Sequence, residues 1–309
     1  MNIARRTIAV AVMAMLVSTL FLVSTVTSEM AMQTIFINPD GNVYPASVPI
    51  QRSGNTYSFT GDIYACLLVN KSDIVIDGAG YTLRGAVNGT PADVWIGQGP
   101  SQEIPNGTER SYTMGIDAAD KSITGLTIKN LNIIDFSIGM YVKTTNNTVT
   151  GNAVVNNIVG ILLSGSNNDI VGNYIADNEM GMFFGTTEPG SIPLNLTVSH
   201  NSFNNNTYHL SGCVCKEYNL SEAMHTWDNG EEGNYWSDYN GTDANGDGIG
   251  DTPYVIDVLN MDRYPLMQSY VAPPTVAANV PVETVVVAAV LSAIVIVSVV
   301  AVRKRRKKA

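Results

Sequence analysis

Apolar residues in this chain alternate in short runs broken by Asn and Gly, and the runs recur at a fixed spacing. One copy runs from Thr148–Gly151–Asn152 to Gly160–Ile161 and a second from Ile170–Gly172–Asn173 to Gly181–Met182. A looser copy runs from Ile128–Asn130 to Gly139–Met140. Gly139, Gly160 and Gly181 keep a 21-residue step. So do the apolar columns Ile133/Val154/Ile175, Met140/Ile161/Met182 and Val142/Leu163/Phe184. Short alternating segments at one long period predict an all-β stacked coil, a solenoid. Each coil is expected to hold three short strands about 4.8 Å from the next coil. Val, Ile, Leu, Met and Phe should point inward and polar residues outward. Asn146/Asn167 and Asn147/Asn168 fit turn ladders in which each amide bonds to the one above.

The period has a beginning, two breaks and an end. Residues 34–70 read as strands capping the first coil, because an open terminal rung leaves backbone groups unpaired. Ser72–Gly85 is the first clear rung. Residues 86–113 interrupt it with prolines, glycines and sequons, the pattern of an exposed loop. Glu188–Leu194 lengthens a later coil. The coils span 71–212, and a C-terminal cap rich in aromatics, Asp and Gly, including Trp227 and Trp236, spans 213–268. Leu220–Met224 is the one place where a short helix is expected.

Both ends read as targeting segments. Arg5–Arg6 and the apolar run Thr7–Val26 indicate a signal peptide or signal anchor over 1–31. A Pro-containing linker covers 269–282. Residues 283–302 are long and apolar enough to span a bilayer as a C-terminal transmembrane helix. The basic run 303–309 should stay cytoplasmic, which puts the bulk of the chain outside the cell membrane. Setting the ends aside changes the charge. Of 17 basic and 27 acidic residues, the ends take eight and two, which leaves nine against 25, a net of −16 over 33–280. Such a surface excludes nucleic acid as a partner and attracts cations. High-salt adaptation would produce the same balance. The odd count of cysteines, Cys66, Cys213 and Cys215, argues against a disulfide framework. Sequons at Asn70, Asn88, Asn106, Asn146, Asn195, Asn205, Asn219 and Asn240 are candidate glycosylation sites.

The segments SDIVIDGAGYTL, NNTVTGNAVVNNIVGILL and NNDIVGNYIADNEMGMFF resemble the right-handed parallel β-helix repeats of the NosD-like family. GNYWSDYNGTDANGDGIGDTPYVID followed by MDRYPLM resembles the closing module of archaeal cell-surface proteins of that type. The resemblance covers roughly 70–268. It implies an all-β, right-handed parallel β-helix of the pectin-lyase-like kind. The family name implies copper delivery, which fold alone does not transfer.

Several constellations are candidates for chemistry. Asp243, Asn245, Asp247, Ile249 and Asp251 match the first part of a calcium loop: oxygens at positions 1, 3 and 5, a carbonyl at 7 and an Asp at 9. Tyr254 stands where an EF-hand has its bidentate Glu, so Asp238, Asp257 or Asp262 would have to complete the shell. His209, Cys213, Cys215 and His225, with Met224, carry donors suited to copper or zinc. Cys66 reads as a core thiol. Asp135, Asn156 and Asp177 share one column, which spaces the two carboxylates about 9–10 Å apart, near the upper limit for an inverting glycosidase pair. Asn156 occupies the place of the water, however, and no basic residue follows the period there. A turn ladder suits the column better. His200 reads as a turn residue without a Ser or Asp partner. Tyr235, Trp236, Tyr239 and Tyr254 would stack on sugars or cover the end of the coil, and the second use is favoured.

The expectation is therefore a membrane-anchored extracellular β-helix with a structural, carbohydrate-binding or surface-layer-binding role and Ca²⁺ in its cap, with catalysis left open and not favoured. A surface polysaccharide hydrolase or lyase, and a copper-handling accessory protein, are the alternatives.

Overall fold

The computed structural model describes residues 32–85, 113–185, 193–212 and 223–270. The signal segment, the loop 86–112, the linker from 271 and the candidate membrane span lie outside the described residues. The chain divides into two compact units, Met1–Pro273 and Pro274–Ala309, and the second is wholly outside them. Among the described residues no helix is long and apolar enough to cross a membrane, and the expected helix near 220–224 does not form at Ala223–Met224.

Each coil gives one strand to each of three parallel sheets. Sheet I stacks Ile63–Val69, Met114–Ala118, Ile138–Val142, Val159–Leu163, Met180–Phe184 and Tyr208–Gly212. Sheet II stacks Thr56–Phe59, Val75–Asp77, Thr127–Lys129, Thr148–Thr150, Asp169–Val171 and Thr197–Ser199. Sheet III stacks Thr82–Arg84, Asn132–Ile134, Ala153–Val155, Tyr174–Ala176, Ser202–Asn204 and Tyr235–Trp236. This is a parallel β-helix. The register follows the repeat: Ile133 pairs with Val154, and Val154 with Ile175. At the first end, Gln33–Ile37 pairs parallel with Ile63–Val69 and antiparallel with Val43–Tyr44, while Ile50–Ser53 folds back on Thr56–Phe59.

A three-sided coil must turn sharply at each corner. Asn146, Asn167 and Asn195 turn between sheets I and II, and Asn130 and His200 between II and III. Asp135, Asn156, Asp177 and Asn205 turn between III and I. All have positive φ, from 50° to 63°. Asn, Asp and His tolerate this left-handed backbone better than other non-glycine residues. The repeated glycines have a different reason. A Cβ on Gly160 would stand 2.5 Å from the carbonyl oxygen of Gly181 on the next rung, and one on Gly139 would stand 2.6 Å from that of Gly160. The rungs stack too closely there for any side chain.

At most corners the next residue is an asparagine that turns its amide inward, while Leu131, Phe136 and Leu196 take that place with apolar side chains. Asn147 donates to Asn168 at 2.8 Å. Asn157, Asn178 and Asn206 form a second ladder at 3.0 and 2.9 Å. Asn152, Asn173, Asn201 and Asn234 form the longest, with 3.0 Å at every step. Asn147 and Asn168 thus stack as expected. Asn146 and Asn167 lie outside on the exposed corner, where Asn146 Nδ2 reaches Thr124 Oγ1 and Asn195 Nδ2 reaches Asn167 Oδ1.

The inward column of sheet III changes character at the far end. Ile133, Val154 and Ile175 give way to Phe203, then Trp236. Trp236 lies flat between Phe203 and Tyr254, with both ring pairs 4.4 Å apart and 5° from parallel. This stack closes the core.

The outer faces depart from expectation. Sheet II is polar outside, as predicted. Sheet I is not: Ile138, Val159, Leu162 and Phe183 face outward, are buried, and form a second apolar cluster with Met114, Tyr141 and Met180. The runs VGILL and MGMFF are apolar on both faces, as strands covered on both sides are. On sheet III, outward Ala153 and Ala176 cluster with the Tyr174 ring. Cys66 belongs outside too. It pairs in register with Thr34 on sheet I, half-buried and apart from the core cluster, and burial pushes its thiol above the usual range.

Candidate functional site

The shared column of Asp135, Asn156 and Asp177 is a corner. Asn156 Nδ2 donates to Asp135 Oδ1 at 2.5 Å, and Asn205 Nδ2 donates to Asp177 Oδ1 at 2.6 Å. Arg84 pairs with Asp135. No basic residue follows the 21-residue period at this corner. Arg84 arrives from sheet III, where its strand pairs with Asn132–Ile134, across the whole 86–112 insertion. The carboxylates thus hold the turns of successive rungs, with an amide between them where a nucleophilic water would need room.

The calcium-type loop is built around Asp243. Its carboxylate accepts the backbone N–H groups of Gly246 at 2.7 Å, Asp247 at 3.2 Å and Gly248 at 2.9 Å. Asn245 Nδ2 donates to Asp247 at 2.8 Å, and Asp251 accepts from Thr242 Oγ1 and Ala244 N. None of the three carboxylates expected to complete a shell is turned to this loop. Asp238 takes the Tyr254 hydroxyl, and Asp257 closes the turn at Leu259–Asn260. Asp262 is buried under the core stack, where it accepts from Asn234 N, Trp236 Nε1 and Tyr264 N. The longest asparagine ladder therefore ends on a carboxylate, an acceptor with no donor of its own to satisfy. The sequence gives no periodic sign of this, because Asp262 follows the last repeat.

The soft-donor set does not assemble among the described residues. His209 Nε2 lies 3.2 Å from Asp238 and 3.3 Å from Ser237 Oγ, and Nδ1 lies 3.4 Å from the Asn206 amide. His225 sits elsewhere, stacked 6.0 Å from Phe184 and edge-on to Trp227. Among the described residues neither of its ring nitrogens has a hydrogen-bond partner. Cys213 and Cys215 lie outside the described residues, as do sequons Asn88, Asn106 and Asn219. His200 is a corner residue, as read, but it has a partner that was missed. Its Nε2 is 3.0 Å from Glu232, and its ring packs 4.6 Å from Tyr270. Trp236 and Tyr254 are committed to the core stack rather than to an open platform.

Residues 34–241 match the family model described as periplasmic copper-binding protein (NosD). The chain belongs to the NosD family. No curated protein and no solved structure matches it. Copper needs soft donors gathered at one point. Among the described residues of this NosD-family chain, no three His, Cys, Asp or Glu side chains come together. The imidazole of His225, unpartnered among the described residues, falls short of a copper centre, so the described donors do not fit the metal.

His225 has a measurable consequence. Burial holds its imidazole below the ordinary histidine value, against the opposing charge of Asp257. Below about pH 6.5 the unfolded chain takes up a proton that the folded chain refuses. Stability is then lost as pH falls through 6.5 toward the depressed folded value. His225→Phe keeps the ring stacked and removes two unsatisfied nitrogens, so it should raise stability by about 1–2 kcal/mol at pH 7. The fall in melting temperature between pH 7.5 and pH 5 should also shrink in the variant. An unchanged acid response would show that other groups set it.

Proposed function

We propose that the chain is a membrane-anchored β-helix scaffold outside the cytoplasm, with a structural role or a role in binding carbohydrate or the surface layer. The observation that carries this reading is where the polar columns go. The repeated Asn and Asp residues are spent on each other and on backbone groups from rung to rung, which makes the helix rigid and leaves display as its use. The family's periplasmic description agrees with a chain exported from the cytoplasm. The apolar run 284–302 and the basic residues after it support anchoring. The cap loop Asp243–Asp251 is read as a Ca²⁺ site that stiffens the exposed end, supported by its ligand spacing.

One preparation tests these together. The purified full chain should be retained on isolated cell-envelope glycan without releasing soluble sugar. Calcium at about 100 times its dissociation constant should add about 2.7 kcal/mol of stability, lost on chelation. Asp247→Ala should abolish that response. Sugar release that stops in Asp135→Ala or Asp177→Ala would replace the scaffold reading with the hydrolase or lyase one. The second reading, copper handling, draws on the family's copper-binding description and on the thiols of Cys213 and Cys215 in the sequence. It requires stoichiometric Cu(I) binding that Cys213→Ser with Cys215→Ser removes.

A further inference from the structure

Beyond the residues matched by the family model, the cap carries a hairpin whose outer surface the fold does not use. Tyr254–Val255 pairs antiparallel with Met261–Asp262. Asp257 closes the turn by accepting from Leu259 N at 2.8 Å and Asn260 N at 2.9 Å. One side is locked in place: Tyr254 stacks on Trp236, and Asn260 and Asp262 are fully buried. The other side faces solvent. Val258 is 83% exposed, Val255 66%, Leu259 44% and Met261 40%. Met224, 70% exposed, stands beside them, because Ala223 O and His225 N on either side of it are both bonded to the Asn260 side chain. The core is already closed by the aromatic stack, so folding does not call for these side chains. Five apolar groups held in water at one place mark a binding surface.

Charge decides what fits there. Residues 223–270 carry nine carboxylates and one arginine, a net of −8. That arginine, Arg263, is held by Asp228 at 2.6 Å. Asp257 lies in the hairpin turn, and Asp238 holds the Tyr254 hydroxyl at 3.2 Å. A second copy would bring the same negative charge, and an anionic lipid surface would repel it equally. We propose that the hairpin docks a protein segment presenting apolar side chains flanked by Lys or Arg. The carboxylates steer the basic residues in, and the tips of Val255, Val258 and Leu259 are buried on contact. The surface belongs to the cap alone and does not depend on membrane anchoring.

The test uses the purified full chain and a fluorescent helical peptide of Lys and Leu. A Lys/Ser peptide of equal charge and an Asp/Leu peptide serve as controls. The Lys/Leu peptide should bind, and the double variant Val258→Ser with Leu259→Ser should bind it about tenfold more weakly. Binding of the Lys/Ser peptide should not change between the two proteins. Because both positions are exposed, the melting curve of the variant should match the parent. The proposal fails if the Lys/Leu peptide does not bind or binds the variant as tightly. It fails equally if the Asp/Leu peptide binds as well as Lys/Leu. Self-association in sedimentation, or flotation with phosphatidylglycerol vesicles, that disappears in the variant would assign the surface to a second copy or to lipid instead.

Discussion

Replacing Asn173 by alanine should lower the unfolding free energy by about 2–4 kcal/mol, well above a polar surface substitution. Asn173 is fully buried and is one of the two middle members of the longest ladder. Its Oδ1 accepts both the backbone N–H and the side-chain amide of Asn152, each at 3.0 Å. Its Nδ2 donates to Val149 O at 2.8 Å and to Asn201 at 3.0 Å. The side-chain amide of Asn152 keeps a second acceptor in Ile128 O, and Asn201 keeps the Asn173 backbone N–H. Val149 O keeps its place in the parallel ladder between Thr148–Thr150 and Asp169–Val171, so one group is left with nothing, the backbone N–H of Asn152. That orphaned buried group costs about 1–3 kcal/mol, and the emptied volume adds to it. Asn132→Ala is the control, because its amide bonds Gly80 O on an exposed corner and should cost under about 1 kcal/mol. Urea unfolding followed by circular dichroism compares them. Hydrogen exchange should quicken first in Thr148–Val155 and Asp169–Ala176, since a solenoid transmits stability between neighbouring rungs. Equal stabilities for the two variants would mean that the ladder is ornamental.

The ladder shows what a sequence can reveal in a repeat protein. Every 21 residues the chain returns to the same surroundings, so a requirement at one rung is written again at the next. The columns of Ile133, Met140 and Val142, and the glycines Gly139, Gly160 and Gly181, are legible for that reason. Contacts that break the translation leave no such trace. Arg84 meets Asp135 across 51 residues and an insertion, and His200 meets Glu232 across 32. The outer face of sheet I was visible in another way. Met180–Phe184 is apolar at nearly every position, and only the assumption of polar exteriors concealed it. The calcium-type loop illustrates the opposite limit. Its spacing stands in the sequence, but the carboxylates that would complete a shell turn out to serve a hydroxyl, a turn and the core stack.

Asp262 separates two views of the acidic cap, because they predict opposite signs. If charge repulsion dominated, removing one of nine carboxylates from a module of net charge −8 should stabilise it. The hydrogen bonding argues for a loss. Asp262 is fully buried. Its Oδ2 accepts from Asn234 N at 2.7 Å and Trp236 Nε1 at 2.8 Å, and its Oδ1 accepts from Tyr264 N at 3.1 Å. Asp262→Ala leaves two buried donors and the half-buried Tyr264 N–H without an acceptor and opens the ladder and the aromatic stack at their shared end. The expected cost is about 3–6 kcal/mol. Burial pushes the carboxyl above its usual value, more than these hydrogen bonds pull it down. A raised folded value means that the folded protein binds the proton first, so the contribution of Asp262 to stability is greatest in acid and falls as pH rises through that value. The difference between parent and variant should therefore narrow from pH 4 toward pH 7 without changing sign. Melting curves at both pH values decide the matter. A higher melting temperature for Asp262→Ala at pH 7 would show that the cap is limited by its charge, and that the ladder does not need a carboxylate to end on.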